Sequence, residues 1–291
     1  MSSSAAPPFP LAPDATARWC RDRARAMDHV LAAVAASRWV DELVLRGSVL
    51  LRAWYGSAAR DPGDLDFVVT TSGWRPQDGR TARMFAEIAR RAEESSAADP
   101  CGVRVFATST SDEEIRDYDR MPGRRLGVRW RSERLPGGTV HLDFACGERL
   151  PSAPALVEIP SSDGTETHLL LGATPEQSLA WKLLWLIEDD PPRGKDVHDA
   201  ALLAERVCLS TALTRATFMA WDPTYGGRAF TRDALGLDRV DWAEFRLAYP
   251  RFAEGDPAAR LVRALAPGFV AGSPMITEGA GRHDVGIELP G

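Results

Sequence analysis

The feature that most constrains the fold is a strand–turn–helix unit around residue 47. The apolar run Leu43-Val44-Leu45 ends in Arg46-Gly47-Ser48, and the following residues 49–56 (VLLRAWYG) have the pattern of a helix. Residues 64–69 (DLDFVV) predict a second strand, because acidic and apolar side chains alternate at its start. Strands that alternate with helices favour a sheet with helices packed on its faces. The sequence therefore predicts an α/β (α+β) fold for this region.

Further strands and helices extend the α/β region to about residue 172. Apolar residues recur at helical spacing within 79–95, and three later segments are rich in strand-forming residues. The turn Pro136-Gly137-Gly138 predicts that the last two of these strands form a hairpin. Helices are predicted at 14–37 and 79–95, and strands at 103–108, 125–133 and 139–147.

The second half of the chain changes to a helical pattern. Thr174 is a predicted N-cap, Pro175 occupies the first turn and Gln177 stands at the capping-box position. Helical stretches follow near 176–189, 195–207, 210–220 and 240–250. We therefore divide the chain into a mobile N-terminal segment (1–13), an α/β domain (14–172), a helical domain (173–266) and a loose C-terminal tail (267–291).

Composition limits the class of protein. The chain has 291 residues and a net charge of −6, which argues against a protein that simply coats nucleic acid. Residues 116–134 nevertheless hold seven arginines and three acidic residues, which fits either an RNA or nucleotide clamp or an ordinary solvated face. No stretch approaches the roughly 18 apolar residues of a membrane span, and the four cysteines form no CxxC pair. These features predict a cytoplasmic protein without a membrane partner.

Three aspartates are the candidate metal ligands. Alternation along residues 64–69 places Asp64 and Asp66 on one face of their strand, and Asp143 lies opposite the apolar side chains of its own strand. If the two strands are neighbours, the three carboxylates converge and repel one another unless a cation neutralises them. Mg²⁺ is the natural cation for such oxygen ligands. The alternative is that each aspartate is a solvated strand residue.

The Gly47-Ser48 turn is a candidate phosphate site. It stands where a strand becomes a helix, so backbone N–H groups and the Ser48 hydroxyl are available to an anion at the positive helix end. A Gly-Ser turn alone is common. Followed by Asp64-Leu65-Asp66 and a later strand aspartate, it is much more specific.

Lys182 is unusual in its surroundings. Only Lys182 and Lys195 are lysines among 35 basic residues, and the helix around Lys182 is apolar on nearly every side. A buried ammonium needs an anion, so Lys182 is expected to reach an aspartate or a nucleotide triphosphate. The alternative is a lysine that extends from the helix edge into water.

These motifs resemble a known family. LRGSVLLRAWYG followed by RDPGDLDFVV is similar to the AbiEii/AbiGii-type toxin nucleotidyltransferases of the DNA polymerase beta-like superfamily. The segment PEQSLAWKLLWLIEDDPPRGKDVHDAALL resembles the second block of that family, at Lys182, Lys195, Asp196 and Asp199. The resemblance covers residues 40–205, and Val49 departs from it because members of the family often carry a Thr there.

The resemblance implies a nucleotidyltransferase-type mixed sheet and a Mg²⁺-dependent enzyme. Such an enzyme transfers NMP from an NTP to an acceptor hydroxyl, with the 3′ end of tRNA as the implied acceptor and pyrophosphate as the product. An antitoxin is the implied protein partner. The implied catalytic residues are Asp64, Asp66, Asp143 and Lys182; the first three hold two Mg²⁺ ions. The substrate-binding residues are Gly47, Ser48, Lys182 and Asp196.

Three other interpretations remain open at this point. A nucleotidyltransferase that modifies a small molecule or a protein hydroxyl would use the same site. A haloacid-type phosphatase also carries Asp-x-Asp, but a continuous apolar strand should precede its first aspartate, and here the residues before Asp64 are ARDPG. The third alternative, from another class, is an inactive nucleotide-binding or interaction module.

Overall fold

The computed structural model describes residues 7, 10–115, 122–133, 135–228 and 230–266. The predicted tail, 267–291, lies outside the described residues, as does most of the predicted mobile segment, 1–13. Within the described chain, a mixed seven-stranded sheet has the order β3-β4-β5-β2-β1-β7-β6. Its strands are β1 (Leu43–Arg46), β2 (Leu65–Val69), β3 (Arg104–Ile115), β4 (Gly123–Arg131), β5 (Gly138–Cys146), β6 (Ala155–Pro160) and β7 (Thr167–Gly172).

Parallel and antiparallel pairs alternate in the middle of this sheet. Strand β2 runs parallel to β5 and antiparallel to β1, while β1 runs parallel to β7. The hairpin predicted at Pro136-Gly137-Gly138 joins β4 to β5. The predicted mixed sheet is confirmed, and its central strands are the ones that carry the candidate carboxylates.

Helices surround the sheet and continue beyond it. The α/β region contributes α1 (Pro13–Ala35), α2 (Ser48–Tyr55) and α3 (Gly79–Ser96). The C-terminal region contributes α4 (Pro175–Glu188), α5 (Gly194–Ala204), α6 (Thr211–Trp221), α7 (Trp242–Ala248) and α8 (Pro257–Leu265). None of the described helices combines the length and the apolar composition that a membrane-spanning segment requires.

The start of α4 follows the predicted capping pattern only in part. The Thr174 hydroxyl accepts a hydrogen bond from the Gln177 N–H at 3.2 Å. The Gln177 side chain, however, is buried and donates to the Thr217 hydroxyl at 3.0 Å. The capping-box glutamine therefore ties α4 to α6 across the helical region.

Two hydrophobic clusters organise the described chain. One packs α1 and α3 against the sheet, with Phe67 and Phe144 stacked at its centre. The other lies among the C-terminal helices, around Leu183 and Phe218. Helices α2 and α4 contribute side chains to both clusters, so they form the seam between the sheet and the helical region. The candidate site lies at this seam.

Two strands and one helix were missed by the sequence analysis. Strand β6 is an edge strand whose side chains are mostly exposed, and Leu156 is 71% exposed, so it lacks the alternation of a half-buried strand. Strand β7 pairs with it and shares that exposed face. Helix α8 does carry a start signal, because Asp256 caps it and Pro257 occupies its first turn.

Candidate active site

Strand register places four charged residues in one row across the sheet. Asp66 on β2 is paired with Asp143 on the parallel strand β5. On the outer sides, Arg46 of β1 pairs with Asp66, and Arg125 of β4 pairs with Asp143. Residues directly opposite one another in register share a face of the sheet. The row therefore reads Arg125, Asp143, Asp66, Arg46, with two carboxylates side by side between two guanidinium groups.

The ionised form of Asp66 is destabilised by this arrangement. Burial raises the pKa of its carboxyl group to about 6, and the negative charge of Asp143 adds to the effect. Arg46 acts in the opposite direction, while Asp64 raises the pKa further. Asp66 is consequently a half-buried carboxylate whose charge is opposed by burial and by two neighbouring aspartates, a setting in which a bound cation is favourable.

Asp143 is held by Arg125 in a two-pronged ion pair. The Arg125 Nε lies 2.6 Å from Asp143 Oδ1, and its Nη2 lies 2.6 Å from Oδ2. This pairing, together with the charges of Asp64 and Asp66, raises the pKa of Arg125 above its ordinary value, with burial opposing. Arg125 fixes the orientation of the third predicted carboxylate.

Asp64 is near the other two carboxylates but at the edge of the site. It immediately precedes β2, and its Oδ1 lies 3.6 Å from the Nδ1 of His141. Asp64 does not line the cavity described below. The negative charge of Asp64 nevertheless raises the pKa of Asp66, so the two carboxylates interact electrostatically.

Gly47 packs directly against Asp66. Its φ of +81° is a conformation that L side chains rarely adopt, and a Cβ at this position would lie 2.5 Å from Asp66 Oδ2. Only glycine therefore fits between β1 and α2 without moving the carboxylate. Ser48, the first residue of α2, is 4% exposed. The predicted phosphate turn thus touches the predicted metal ligand.

Lys182 belongs to a buried network of four charges. Its Nζ lies 2.6 Å from Asp196 Oδ1 and 2.9 Å from Asp199 Oδ2. Arg60 also bonds Asp199, with Nη2 2.9 Å from Oδ2. Burial opposes the charge of Lys182, but Asp196 and Asp199 outweigh it and raise its pKa above the ordinary value. The ammonium thus reaches aspartates, one of the two kinds of anion that the sequence analysis allowed.

One cavity of about 180 Å³ joins these groups. Six of the seven predicted site residues line it: Gly47, Ser48, Asp66, Asp143, Lys182 and Asp196. The seventh, Asp64, does not. The cavity also has basic and aromatic walls that sequence reasoning did not assign to a site: Arg46, Arg60, Arg193, Trp181, Trp185 and Trp221.

A comparison with protein families identifies the family of the chain. The family whose sequence profile matches residues 29–265 is described as nucleotidyl transferase AbiEii toxin, Type IV TA system. The chain belongs to the AbiEii family. The match extends over the whole described sheet and to the end of α8, beyond the residues 40–205 covered by the recognised motifs. A search of curated proteins found no match.

Membership of the AbiEii family makes the chain a nucleotidyltransferase, and its donor set is compatible with Mg²⁺. The aspartates supply hard carboxylate oxygens, the ligands that Mg²⁺ prefers. Within the described residues, however, no three His, Cys, Asp or Glu side chains already form a metal-binding group. Asp143 is turned toward Arg125 and Asp64 toward His141, so a shared ion requires these contacts to loosen.

Lys195, the second of the two lysines, also lines the cavity of this AbiEii protein. It is half-buried in the first turn of α5 and forms no ion pair with any residue of the described chain. Its charge contributes to the lowered pKa of Asp196, after burial and Lys182. Lys195 is therefore a cation that faces the cavity and remains available to an anion.

Two arginines of the Arg-rich segment form ion pairs within the fold, which neither the nucleic-acid clamp nor the solvated face predicted. Within its described part, 122–133, Arg124 pairs with Asp112 and Arg125 pairs with Asp143. Arg129 and Arg131 are exposed on β4. The segment therefore contributes both an internal positioning residue and an exposed basic strip.

Proposed function

We propose that this chain is a Mg²⁺-dependent nucleotidyltransferase that transfers NMP from an NTP to an acceptor hydroxyl and releases pyrophosphate. The observation that carries the proposal is the pairing of Asp66 with Asp143 on adjacent strands, in contact with the Gly47-Ser48 turn. Family membership supplies the reaction class. A metal-binding pair of carboxylates next to a helix N-terminus is an arrangement suited to a nucleotide triphosphate.

In this proposal Asp64, Asp66 and Asp143 hold two Mg²⁺ ions. When bound, the ions would neutralise phosphate charge and lower the pKa of the acceptor hydroxyl. The raised pKa of Asp66 supports this assignment, because a nearby cation would relieve the repulsion that causes it. Arg125 orients Asp143 and would give up part of this contact when Asp143 holds the metal.

The phosphates bind next to these carboxylates, at other residues that line the same cavity. Backbone N–H groups at the start of α2 and the Ser48 hydroxyl hold one phosphate. Lys182 has three N–H donors, of which two reach Asp196 and Asp199; in this proposal the third donates to the leaving pyrophosphate. Asp196 acts on the substrate through Lys182, and Lys195 supplies a second cation.

The reaction follows from this placement. The acceptor oxygen forms a bond to the α-phosphorus while the bond from that phosphorus to the bridging oxygen of the leaving group breaks in line. Pyrophosphate departs with both electrons of the broken bond, and the hydroxyl proton passes to solvent. The residues of the chain contribute positioning and charge stabilisation and form no covalent intermediate.

We propose the 3′ end of tRNA as the acceptor. Arg129 and Arg131 support a nucleic-acid acceptor, because they are exposed on β4, the strand whose Arg125 holds Asp143. The toxin description of the family fits an acceptor whose modification stops growth. We further propose that the enzyme acts in the cytoplasm and is restrained by an antitoxin.

The decisive experiment incubates the protein with each labelled NTP, Mg²⁺ and total tRNA. Transfer of label to RNA with pyrophosphate release supports the proposal, and Asp66→Asn and Asp143→Asn should abolish it. Asp238→Asn is the matched control, because that aspartate is exposed and does not line the cavity. Transfer of label to protein or to small molecules would show that the acceptor is not RNA. If no pyrophosphate is released with any acceptor, the protein is an inactive binding module.

A growth assay tests the toxin assignment. Expression of the wild-type chain without its genomic neighbours should arrest growth, while Asp66→Asn at equal abundance should not. Growth arrest by both proteins would separate toxicity from nucleotidyl transfer.

A further inference from the structure

The sheet face that carries Asp143 continues along β4 beyond the cavity. Period-two alternation places Arg129 and Arg131 on the same face as Arg125, the register partner of Asp143. Arg129 and Arg131 are exposed, whereas Trp130 between them is 1% exposed and packs in the core on the other face. This end of β4 is therefore packed on one face and open on the face that leads to the active site.

Three arginines come together at this open end. Arg131 is the register partner of Arg104 on β3, and Arg129 is the register partner of Phe106. The guanidinium carbon of Arg131 lies 5.6 Å from the centre of the Phe106 ring, which favours one position of that side chain. Arg104 is half-buried and its Nη1 donates to two backbone oxygens. Arg104, Arg129 and Arg131 form what we term the basic patch.

The basic patch has no carboxylate partner within the described chain. The other arginines on the described strands do have one, because Arg46, Arg124 and Arg125 each form an ion pair with Glu or Asp. Like charges at neighbouring positions of a sheet face repel one another. A chain with 41 acidic residues and a net charge of −6 has many carboxylates that could neutralise the patch, so its lack of compensation indicates an anion from outside.

The position of the patch sets the kind of anion that could reach both it and the active site. Arg129 lies four residues from Arg125 along β4, a distance of about 13 Å, and Arg131 lies about 20 Å away. Thr139 and His141 of β5 lie on the same face between the patch and Asp143. An anion that touches the patch and also offers a hydroxyl to Asp143 must therefore be a chain with several charges.

The acidic side chains on this face lie at its other end. Glu113 is the register partner of Arg125, and Asp64 lies 3.6 Å from His141. The face is thus positive at the basic patch and negative around the proposed metal ligands. A polyanion is attracted to the first end and repelled by the second until metal ions are bound, so this charge distribution favours one placement of the chain.

We propose that the basic patch binds backbone phosphates of the acceptor RNA, so that the strand lies along β4 and its terminal hydroxyl reaches Asp143. This inference rests on the proposed function and assigns the surface over which the acceptor enters. Arginine binds phosphate through a planar pair of N–H donors, which suits such a surface. Phosphate contacts position a strand without identifying its bases, so the patch holds the RNA and does not select its sequence.

The test measures tRNA binding by fluorescence anisotropy without NTP, and NMP transfer to the same tRNA. Arg129→Gln/Arg131→Gln should weaken tRNA binding by about 10- to 50-fold near 0.1 M salt. The slope of log affinity against log salt should become shallower by about 1.4, equivalent to two phosphate contacts on a single strand. The KM for tRNA should rise, while the KM for NTP stays within about twofold, because neither arginine lines the cavity.

Two further double variants separate position from charge. Arg18→Gln/Arg83→Gln removes the same charge from exposed residues of α1 and α3, the helices packed on the opposite face, and should leave tRNA affinity within about twofold. Arg129→Lys/Arg131→Lys keeps the charge and should retain affinity within about fivefold. Melting curves should be alike for all variants, because the substituted residues are exposed.

The contrary outcomes distinguish this inference from the function on which it rests. Equal weakening by both glutamine double variants, or an unchanged affinity of Arg129→Gln/Arg131→Gln, would refute the patch and leave the NTP site and the reaction intact. Displacement of tRNA by polyglutamate as effective as by RNA of equal charge would assign the patch to an acidic polypeptide instead. Wild-type protein that transfers no label to RNA would overturn the proposed acceptor, and the patch with it.

Discussion

Asp66→Asn should make the protein more stable while it removes the proposed activity. The carboxyl pKa of Asp66 is raised from 3.8 to about 6 by burial and by Asp143. A carboxyl group with a raised pKa binds its proton more tightly in the folded state, so ionisation at neutral pH favours unfolding. Asparagine has nearly the same shape and carries no charge. The substitution therefore removes an electrostatic cost without creating a cavity.

The size of the gain follows from the pKa. At about 1.4 kcal/mol for each tenfold change in proton affinity, the full effect is about 3 kcal/mol. Because Asp66 is half-buried and faces the cavity, solvent screens part of this energy, and a gain of about 1–2 kcal/mol is expected. The gain should grow from about pH 4 and level off above pH 6, since Asp66 is protonated in both states at low pH.

Urea unfolding in the presence of EDTA, at several pH values between 5 and 8, measures the effect. Asp143→Asn should bring no such gain, because its carboxylate is paired with Arg125 and the substitution weakens that pair. Asp238→Asn serves as the exposed control. An Asp66→Asn protein no more stable than wild type at pH 7.5, or a gain independent of pH, would refute the reasoning.

Four further predictions follow from the same contacts. Mg²⁺ should raise the melting temperature of the wild-type protein and not that of Asp66→Asn. Arg125→Gln should lower the Mg²⁺ concentration that gives half of this rise, because Arg125 no longer holds Asp143. If that Mg²⁺ concentration is unchanged, Arg125 does not act on the metal site. Lys182→Met should cost about 3–5 kcal/mol in urea unfolding, because it leaves buried aspartates without their partner. Burial raises the pKa of Asp199, but Arg60 and Lys182 lower it more strongly, so its pKa lies below the ordinary value. Its ionised form therefore stabilises the fold above about pH 4, and this stabilisation is lost as the pH falls further. Asp199→Asn should make the free energy of unfolding less dependent on pH in this acidic range. Gly47→Ala should abolish activity and lower stability by more than about 1 kcal/mol, because its Cβ meets Asp66 at a positive φ; circular dichroism and a melting curve check that the variant still folds.

The carboxylate pair was predictable from the sequence because strand alternation is a local property. Period-two alternation assigned Asp66 and Asp143 to faces of their strands, but their pairing depends on β2 and β5, which are separated by more than 60 residues. The sequence analysis could state the neighbouring of these two strands only as a condition, and the strand register of the structure shows that the condition holds.

The arginines of the site were not predictable in the same way. Arginine makes up 33 of 35 basic residues, so neither Arg60 nor Arg125 differs in composition from its neighbours. Arg125 had one usable signal, since counting outward from the hairpin turn pairs it with Asp143. Arg60 had none, because its partner Asp199 lies on α5, 139 residues away. Lys182 stood out because lysine is rare in this chain.

The tryptophans show a different limit. An indole at the edge of a cavity and one in a core both occur at apolar helical spacing, so the sequence does not separate Trp185 and Trp221, which line the cavity, from Trp19 and Trp130 in the sheet core. Only the packing of α4 against α6 makes the difference visible. Strand β6 was missed for a related reason: its side chains are mostly exposed, so it lacks the alternation of apolar and polar residues on which strand prediction depends.

Charge balance explains why nucleotide and metal should bind together. In the described chain, the cavity lining carries five basic and five acidic side chains, and most are already paired, including Arg46 with Glu148 and Lys182 with Asp196. A triphosphate alone would add negative charge beside Asp66, whose ionisation is already unfavourable. Metal ions alone would add positive charge to a cavity that Lys195 also lines. A metal–nucleotide complex satisfies both ends, so NTP affinity should depend steeply on Mg²⁺ and weaken when Lys195 is replaced by methionine.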